Sequence, residues 1–205
     1  MGGATMGNTD QFDRIANIYD TSERIQIANV SSNAIREYLN DTKSKDAMDF
    51  GCGTGLVGMN LLNDFHSVLF LDSSQNMIDQ IKRKIAGLSI QNAATMCFDF
   101  EKDSLSDFHV DYIFMSQVLL HIKDVGAVLT KLYEVLREKG HLLIIDFDKN
   151  ETIVSDMVHP GFDQTALTEV LSEIGYRNIQ SKTFYTGSNL FMGNDASLFI
   201  LDSRK

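Results

Sequence analysis

The stretch Asp49-Phe50-Gly51-Cys52-Gly53-Thr54-Gly55 decides the fold. An apolar segment (Ala47, Met48, Phe50) carries an acid near its end and runs directly into three alternating glycines. A strand that ends this way brings bare backbone against a ligand, because glycine tolerates positive φ and has no side chain to block approach. The amide groups, and the N-terminus of the helix that follows with its partial positive charge, then face the ligand's polar end. Two large fold groups share this device. Gly53-Thr54-Gly55-Leu56-Val57-Gly58 fits G-x-G-x-x-G after a strand, the dinucleotide fingerprint. Asp72 ends the apolar run Val68-Leu69-Phe70-Leu71, where either group needs a carboxylate for ribose hydroxyls, so it does not discriminate.

The 205 residues suit one α/β domain spanning 1–205. We expect a core over 45–205, an N-terminal helical cap over 10–40 and a small, polar, disordered start at 1–9, with either Met1 or Met6 as the initiator. This length leaves no room for the separate substrate domain of many nicotinamide dehydrogenases. At 43% hydrophobic and 22% charged residues the composition is that of a soluble globular protein. No apolar run reaches the length of a membrane span, and the N-terminus lacks a signal-peptide pattern. Cys52 and Cys97 do not make a disulfide framework. They end the first and third expected strands, roughly 9–10 Å apart, too far for a bridge. Both read as thiols of a reducing cytoplasm, the expected location. A net charge of −10 weighs against a nucleic-acid partner. The compact basic run Lys82-Arg83-Lys84 lies on a helix with apolar positions Ile78, Ile81 and Ile85, and reads as its solvated face.

Strand and helix signals alternate, which predicts a mostly parallel seven-stranded sheet with helices on both faces. Phe12, Ile15, Ala16 and Tyr19 fall at helical spacing, and a second helix is expected over Ser22–Leu39. Strands are expected at Ala47–Phe50, Ser67–Leu71, Ala94–Phe98, Val110–Met115 and His141–Phe147, with helices at Leu56–Asp64, Gln75–Ala86 and from Val125 to a stop at Gly140. A helix carrying Leu167, Val170, Leu171 and Ile174 stops at Gly175. Strand Tyr176–Tyr185, loop Thr186–Asn194 and strand Ala196–Leu201 follow with no helix between, so these last strands should pair antiparallel.

The series D-F-G-C-G-T-G resembles motif I of class I S-adenosylmethionine (SAM) dependent methyltransferases. Leu71-Asp72-Ser73-Ser74-Gln75-Asn76-Met77-Ile78 resembles the family's next signature, an acid ending strand two followed by a serine and a Met-Ile pair. Phe12-Asp13-Arg14-Ile15-Ala16-Asn17-Ile18-Tyr19-Asp20 resembles the F-D-x-x-A-x-x-Y-D opening of small-molecule methyltransferases, including the ubiquinone/menaquinone-biosynthesis type. A parallel sheet closed by a C-terminal antiparallel hairpin is that family's Rossmann-like arrangement. The resemblance runs from Phe12 to the last strand and implies an S-adenosylmethionine-dependent methyltransferase of EC class 2.1.1.-, with S-adenosylhomocysteine as product and a small-molecule acceptor.

It also implies site roles. The methionine end of SAM lies by Asp49, Gly51, Cys52, Gly53 and Gly55, with Tyr19 either closing over it or merely continuing an apolar stripe. Asp72 and the adjacent Ser73 serve the ribose, the Asp72 carboxylate accepting two hydrogen bonds. Asp99 accepts from the adenine amine, with Phe100 and Met77 as walls. Ser116 and Gln117, in the post-motif segment Ser116-Gln117-Val118-Leu119-Leu120-His121-Ile122, lie beside the methyl group. The N-P-P-Y common in adenine and glutamine amino-methyltransferases is replaced here by Ser116-Gln117, which argues against such acceptors. His121 either faces the site or precedes the next helix. His159, held extended by Pro160, follows the fifth strand on the edge where loops carry specificity. These two are the catalytic candidates if the acceptor must lose a proton. The five histidines show no metal-ligand spacing, so no metal is expected. Three other readings stay open: an RNA or protein acceptor, a non-catalytic SAM-binding domain, and a nicotinamide oxidoreductase.

Overall fold

Ala47, Met48 and Phe50 are essentially inaccessible to solvent, and they set β1 (Asp46–Phe50) inside the sheet between β2 (Ser67–Asp72) and β4 (Val110–Ser116). The computed structural model describes residues 8–99, 108–155 and 158–205. The remaining strands are β3 (Ala93–Cys97), β5 (Leu136–Phe147), β6 (Arg177–Phe191) and β7 (Asn194–Arg204), in spatial order β3-β2-β1-β4-β5-β7-β6. Pairing is parallel from β3 to β5 and antiparallel across β5-β7-β6, which is the mostly parallel sheet with a terminal hairpin. The helices around it are α1 (Asn8–Ile15), α2 (Ser22–Arg36), α3 (Leu56–Leu61), α4 (Gln75–Gly87), α5 (Val125–Val135) and α6 (Gln164–Ile174).

Local chemistry sets most helix starts. Thr21, Ser74, Asp124 and Asp163 precede α2, α4, α5 and α6, and each accepts a backbone N–H from the first turn. Packing then decides. Phe50, Phe70, Phe114 and Phe199 are fully buried in one core with Ile78, Leu129, Leu171 and Ile200. Each such side chain contributes about 1.5–3 kcal/mol relative to exposure.

Several boundaries differ from the sequence reading. The second helix stops at Arg36, short of Leu39. Asn8 and Thr9, expected in a disordered start, lie in α1, while residues 1–7 fall outside the described residues. The fifth strand begins at Leu136, because the helix before it ends at Val135 and not at Gly140. Gly140 is a strand glycine: a Cβ there would stand 2.8 Å from the Arg137 carbonyl oxygen and 2.9 Å from that of Asp111. It permits close backbone approach to β4. The expected loop at residues 186–194 is mostly strand, since β6 runs to Phe191. Met192 (φ 50°) and Gly193 (φ 77°) supply the two consecutive positive-φ residues of a tight hairpin turn, which the polar run Gly187-Ser188-Asn189 disguised.

Because β1 to β5 are parallel, their C-terminal ends share one edge. The strand order reverses direction between β1 and β4, and the crevice outside such a switch point is where open α/β sheets bind ligands.

Gly58 tests how tightly this edge is built. A Cβ there would lie 2.4 Å from the Phe70 ring and 2.5 Å from Asp49 Oδ2. Gly58→Ala should destabilise the fold by about 1–3 kcal/mol. Gly87→Ala, with nothing within 4 Å, should be neutral or stabilising. Thermal melts of the two variants check this, and equal melting temperatures would contradict the packing described.

Candidate functional site

Three strand ends place carboxylates under the loops of this edge. Asp49, at the end of β1, is buried, and its Oδ2 accepts the Gly58 backbone N–H at 3.0 Å. Burial pushes its carboxyl up to about 8; the Gly58 hydrogen bond opposes that and the Asp72 charge adds to it. Asp72, at the end of β2, accepts from Gly53 N at 2.8 Å on one oxygen and from Ser74 N at 2.9 Å on the other. Burial raises its carboxyl too, against those hydrogen bonds. Asp146 in β5 is fully buried and accepts from Phe147 N at 2.9 Å and Leu120 N at 3.3 Å.

Between the first two carboxylates the chain turns through Gly51 (φ 66°), Gly53 (φ 54°) and Gly55 (φ 80°). Gly51 sits under Val118, whose methyl carbons would be 2.7 Å from an added Cβ. Gly53 faces the Tyr19 ring, whose nearest atom would be 3.7 Å from a Cβ. The Cys52 N–H donates to the Leu71 carbonyl at 2.9 Å, and burial pushes its thiol up.

The N-terminal segment straps this turn down with polar contacts. Asp13 accepts from the Ser74 hydroxyl, and its carbonyl accepts from Asn76 Nδ2 at 3.0 Å. Asp20 accepts from the Thr54 hydroxyl and pairs with Lys84 Nζ at 2.8 Å. Lys84 also donates to the Thr54 carbonyl at 2.7 Å, so this residue of the basic run is a tether and not merely solvated surface. The Arg24 guanidinium lies 4.1 Å from the Tyr19 ring centroid, a cation–π contact, and donates to the Tyr19 carbonyl at 3.0 Å. Burial raises the Tyr19 phenol, so the ring is neutral and closes the turn as an apolar lid with a polar tip.

After β4 the backbone kinks at Gln117 (φ 57°), whose N–H donates to Ile145 O at 2.7 Å. A left-handed non-glycine residue costs about 1–3 kcal/mol and marks a segment held in place by its surroundings. A 3₁₀ turn over Leu119–His121 follows. His121 packs edge-on against Phe12 with ring centroids 5.1 Å apart, and burial lowers its imidazole to about 4. The His159 N–H donates to Leu120 O at 2.8 Å, and its exposed ring stacks on Phe162 at 4.5 Å. Phe162 also borders an open cleft of about 320 Å³ lined by Asp148, Lys149, Asp163, Gln164 and Thr165.

A methyltransferase domain model matches residues 48–142, from β1 into β5. An uncharacterized methyltransferase of Schizosaccharomyces pombe is 28% identical over 120 residues, 55% of this chain and 42% of that protein. A tRNA 5-carboxymethoxyuridine methyltransferase of Escherichia coli K12 is 29% identical over 118 residues, 57% of this chain and 45% of that protein. In these matches the chain spans less than half of its relatives' length. Phosphoethanolamine N-methyltransferase 2 of Haemonchus contortus, solved with SAM, superimposes with a TM-score of 0.73 at 13% identity, over 99% of this chain and 60% of that one. Residues 48–142 are thus similar to a methyltransferase domain, and the chain shares the fold of the SAM-dependent enzyme.

Of the residues singled out by sequence, Asp49, Gly51, Cys52, Gly53, Gly55, Asp72, Ser116 and Gln117 lie at the C-terminal ends of β1, β2 and β4 or in the turns that follow, and Tyr19 lies over Gly53. Ser73 accepts the Cys97 thiol on its carbonyl at 3.5 Å. Met77, in the first turn of α4, is 1% exposed. Asp99 follows β3 two residues beyond Cys97, and Phe100 lies outside the described residues. Among the described residues no group of histidine, cysteine and acidic side chains could hold a metal, and no helix is long and apolar enough to cross a membrane. Sequence reading missed Asp146. Its signal was a single acid inside the apolar run Leu142-Leu143-Ile144-Ile145-Asp146-Phe147, since unpaired buried acids are rare. Sequence reading also gave no role to the strap acids Asp13 and Asp20, although both belong to the F-D-x-x-A-x-x-Y-D opening, and it missed their neighbours Arg24 and Lys84.

The Asp49 carboxyl makes a pH-dependent prediction. Its folded value of about 8 stands above the ordinary 3.8, so between those values the native state binds more protons than the unfolded chain. Stability should therefore be highest at the acid end of that window and fall as pH rises through it. Asp146, raised to about 7, acts in the same sense. Asp49→Asn, which keeps an oxygen for the Gly58 N–H, should flatten the loss, whose limiting slope is about 1.4 kcal/mol per pH unit for one proton. Denaturant melts at pH 5, 6, 7 and 8 measure it. An unchanged slope in the variant would contradict a protonated buried Asp49.

Proposed function

We propose that this protein transfers a methyl group from SAM to a small-molecule acceptor. The observation that carries this is the glycine turn pinned between two strand-end carboxylates at the switch point, under the Tyr19 ring. Residues and cofactor fit. The positive-φ glycines offer bare backbone to the methionine carboxylate and ammonium, and a Cβ on Gly53 would fill the space below Tyr19. Asp72 accepts the Gly53 N–H on one oxygen and the Ser74 N–H on the other, with the Ser73 N–H also bearing on it, and the remaining lone pairs of a carboxylate suit ribose hydroxyls. Asp99 stands on the same edge for the adenine amine. The single domain over 1–205, with residues 10–40 as a cap, is part of the same proposal.

Bound SAM supplies an already activated methyl group, which passes to the acceptor by in-line displacement and leaves S-adenosylhomocysteine. The chain's own work is therefore mostly positioning. The segment 116–122, which follows β4 at the switch point, would form the wall beside the methyl-bearing end. His121, lowered to about 4 by burial, is a neutral imidazole at physiological pH and too weakly basic to draw a proton efficiently. His159 is the better candidate: its ring is exposed, aimed by stacking on Phe162, and tied through its backbone to the 116–122 loop. If the acceptor loses a proton, His159 takes it.

A small acceptor is favoured by the net charge of −10 and by the commitment of Lys84 to Asp20 and Thr54. The tRNA-modifying relative favours an RNA acceptor as the second reading. Incubation with methyl-labelled SAM and either a deproteinised metabolite extract or total RNA separates the two. Label in a small molecule supports the first reading, label in RNA the second, and no transfer with intact SAM binding supports a non-catalytic domain. We place the protein in the cytoplasm, consistent with its two free thiols.

Two variants refine the assignment. Asp72→Ala should weaken SAM binding by at least tenfold in calorimetry with chelator present, and more than Asp99→Ala, because it removes charge-assisted bonds of about 1.5–3 kcal/mol each. Parent-like affinity would refute the ribose role. His159→Ala should leave SAM affinity within twofold while slowing label transfer, by about 10²–10⁴-fold if it is a base. Unchanged transfer would show it to be a turn residue.

A further inference from the structure

We propose that Asp146 is the positioning residue of the methyl-transfer site, holding the 117–121 loop against the glycine turn through the backbone amides that converge on its carboxylate. This rests on the cofactor reading above and concerns a side chain to which that reading gives no task.

Asp146 is wholly buried one residue before the end of β5. Its Oδ2 accepts Leu120 N at 3.3 Å and its Oδ1 accepts Phe147 N at 2.9 Å. The N–H groups of Leu119 and Val118 also bear on it. Amides of successive residues in a tight turn normally point together at an anion. Here the acceptor is a carboxyl group built into the neighbouring strand. The turn it holds has three outward links. The Val118 side chain covers Gly51, so closely that an added Cβ would be 2.7 Å from it. His121 packs on Phe12 of the N-terminal strap. The Leu120 carbonyl accepts the His159 N–H. One buried carboxylate thus joins the cofactor turn, the strap and the loop carrying His159.

Substituting this group should disturb ligand binding without breaking the sheet, because β5 is held by β4 on one side and β7 on the other over its length. Asp146→Leu removes every acceptor at similar size, and Asp146→Asn restores one oxygen. Two readouts test the role. Amide hydrogen exchange at Val118, Leu119 and Leu120 should quicken by about tenfold or more in Asp146→Leu, and by less in Asp146→Asn. S-Adenosylhomocysteine affinity by calorimetry should fall by about tenfold in Asp146→Leu, with partial recovery in Asp146→Asn. Val118→Ala should also weaken binding, and Asp146→Leu combined with Val118→Ala should lose less than the product of the two single losses, since both act through one contact. Unchanged exchange at the three amides overturns the inference, as does a double variant whose loss equals that product. A parent protein that fails to bind S-adenosylhomocysteine overturns the cofactor reading instead, and exchange then decides the placement of the loop alone.

Discussion

The Asp72 carboxylate is the constraint on which the site depends. One oxygen holds the Gly53 amide and the other the Ser74 amide, so the end of β2 fixes both the glycine turn after β1 and the start of α4. Asp49 does the same for α3 through Gly58, and Asp146 for the loop after β4. A parallel sheet delivers its strand ends to one edge but leaves the loops beyond them without partners. Acceptors at the ends of β1, β2 and β5, buried for Asp49 and Asp146 and half-buried for Asp72, resolve that. They also cost stability, since each carboxyl is held above its ordinary range by burial, a cost tolerated where loop geometry matters more than net stability.

The strap works by a different principle. Its contacts mix partly exposed polar pairs, Asp13 to Ser74, Asp20 to Thr54 and Lys84, Arg24 to Tyr19, with the packing of Phe12 on His121 and the burial of Ala16. Partly exposed ion pairs of this kind contribute little each, about 0–1 kcal/mol.

Much of this was legible in the sequence. The alternation of elements, the glycine turn, the acid ending β2 and the C-terminal hairpin all appear in the pattern, because strand periodicity, positive-φ glycine and the missing final helix each have one dominant physical reading. The rest was hidden for identifiable reasons. Gly140 reads as a helix stop, yet it serves close packing of β5 on β4. The run Gly187-Ser188-Asn189 reads as a loop, although the turn lies at Met192-Gly193. Lys84 looks like solvated surface until Asp20 arrives from 64 residues away. Asp146 stands out as the one acid of its apolar run, but only the fold brings Leu120 to it. Long-range partners of single polar residues leave no periodicity behind them.

A crystal structure of the protein with S-adenosylhomocysteine tests the account most directly. The account predicts the ribose hydroxyls on Asp72, the amino-acid end on the backbone of Gly51 and Gly53 beneath Tyr19, and the sulfur facing residues 116–121. Ligand bound elsewhere, or an Asp72 carboxylate that touches only Gly53 and Ser74 with the ribose turned away, would contradict it.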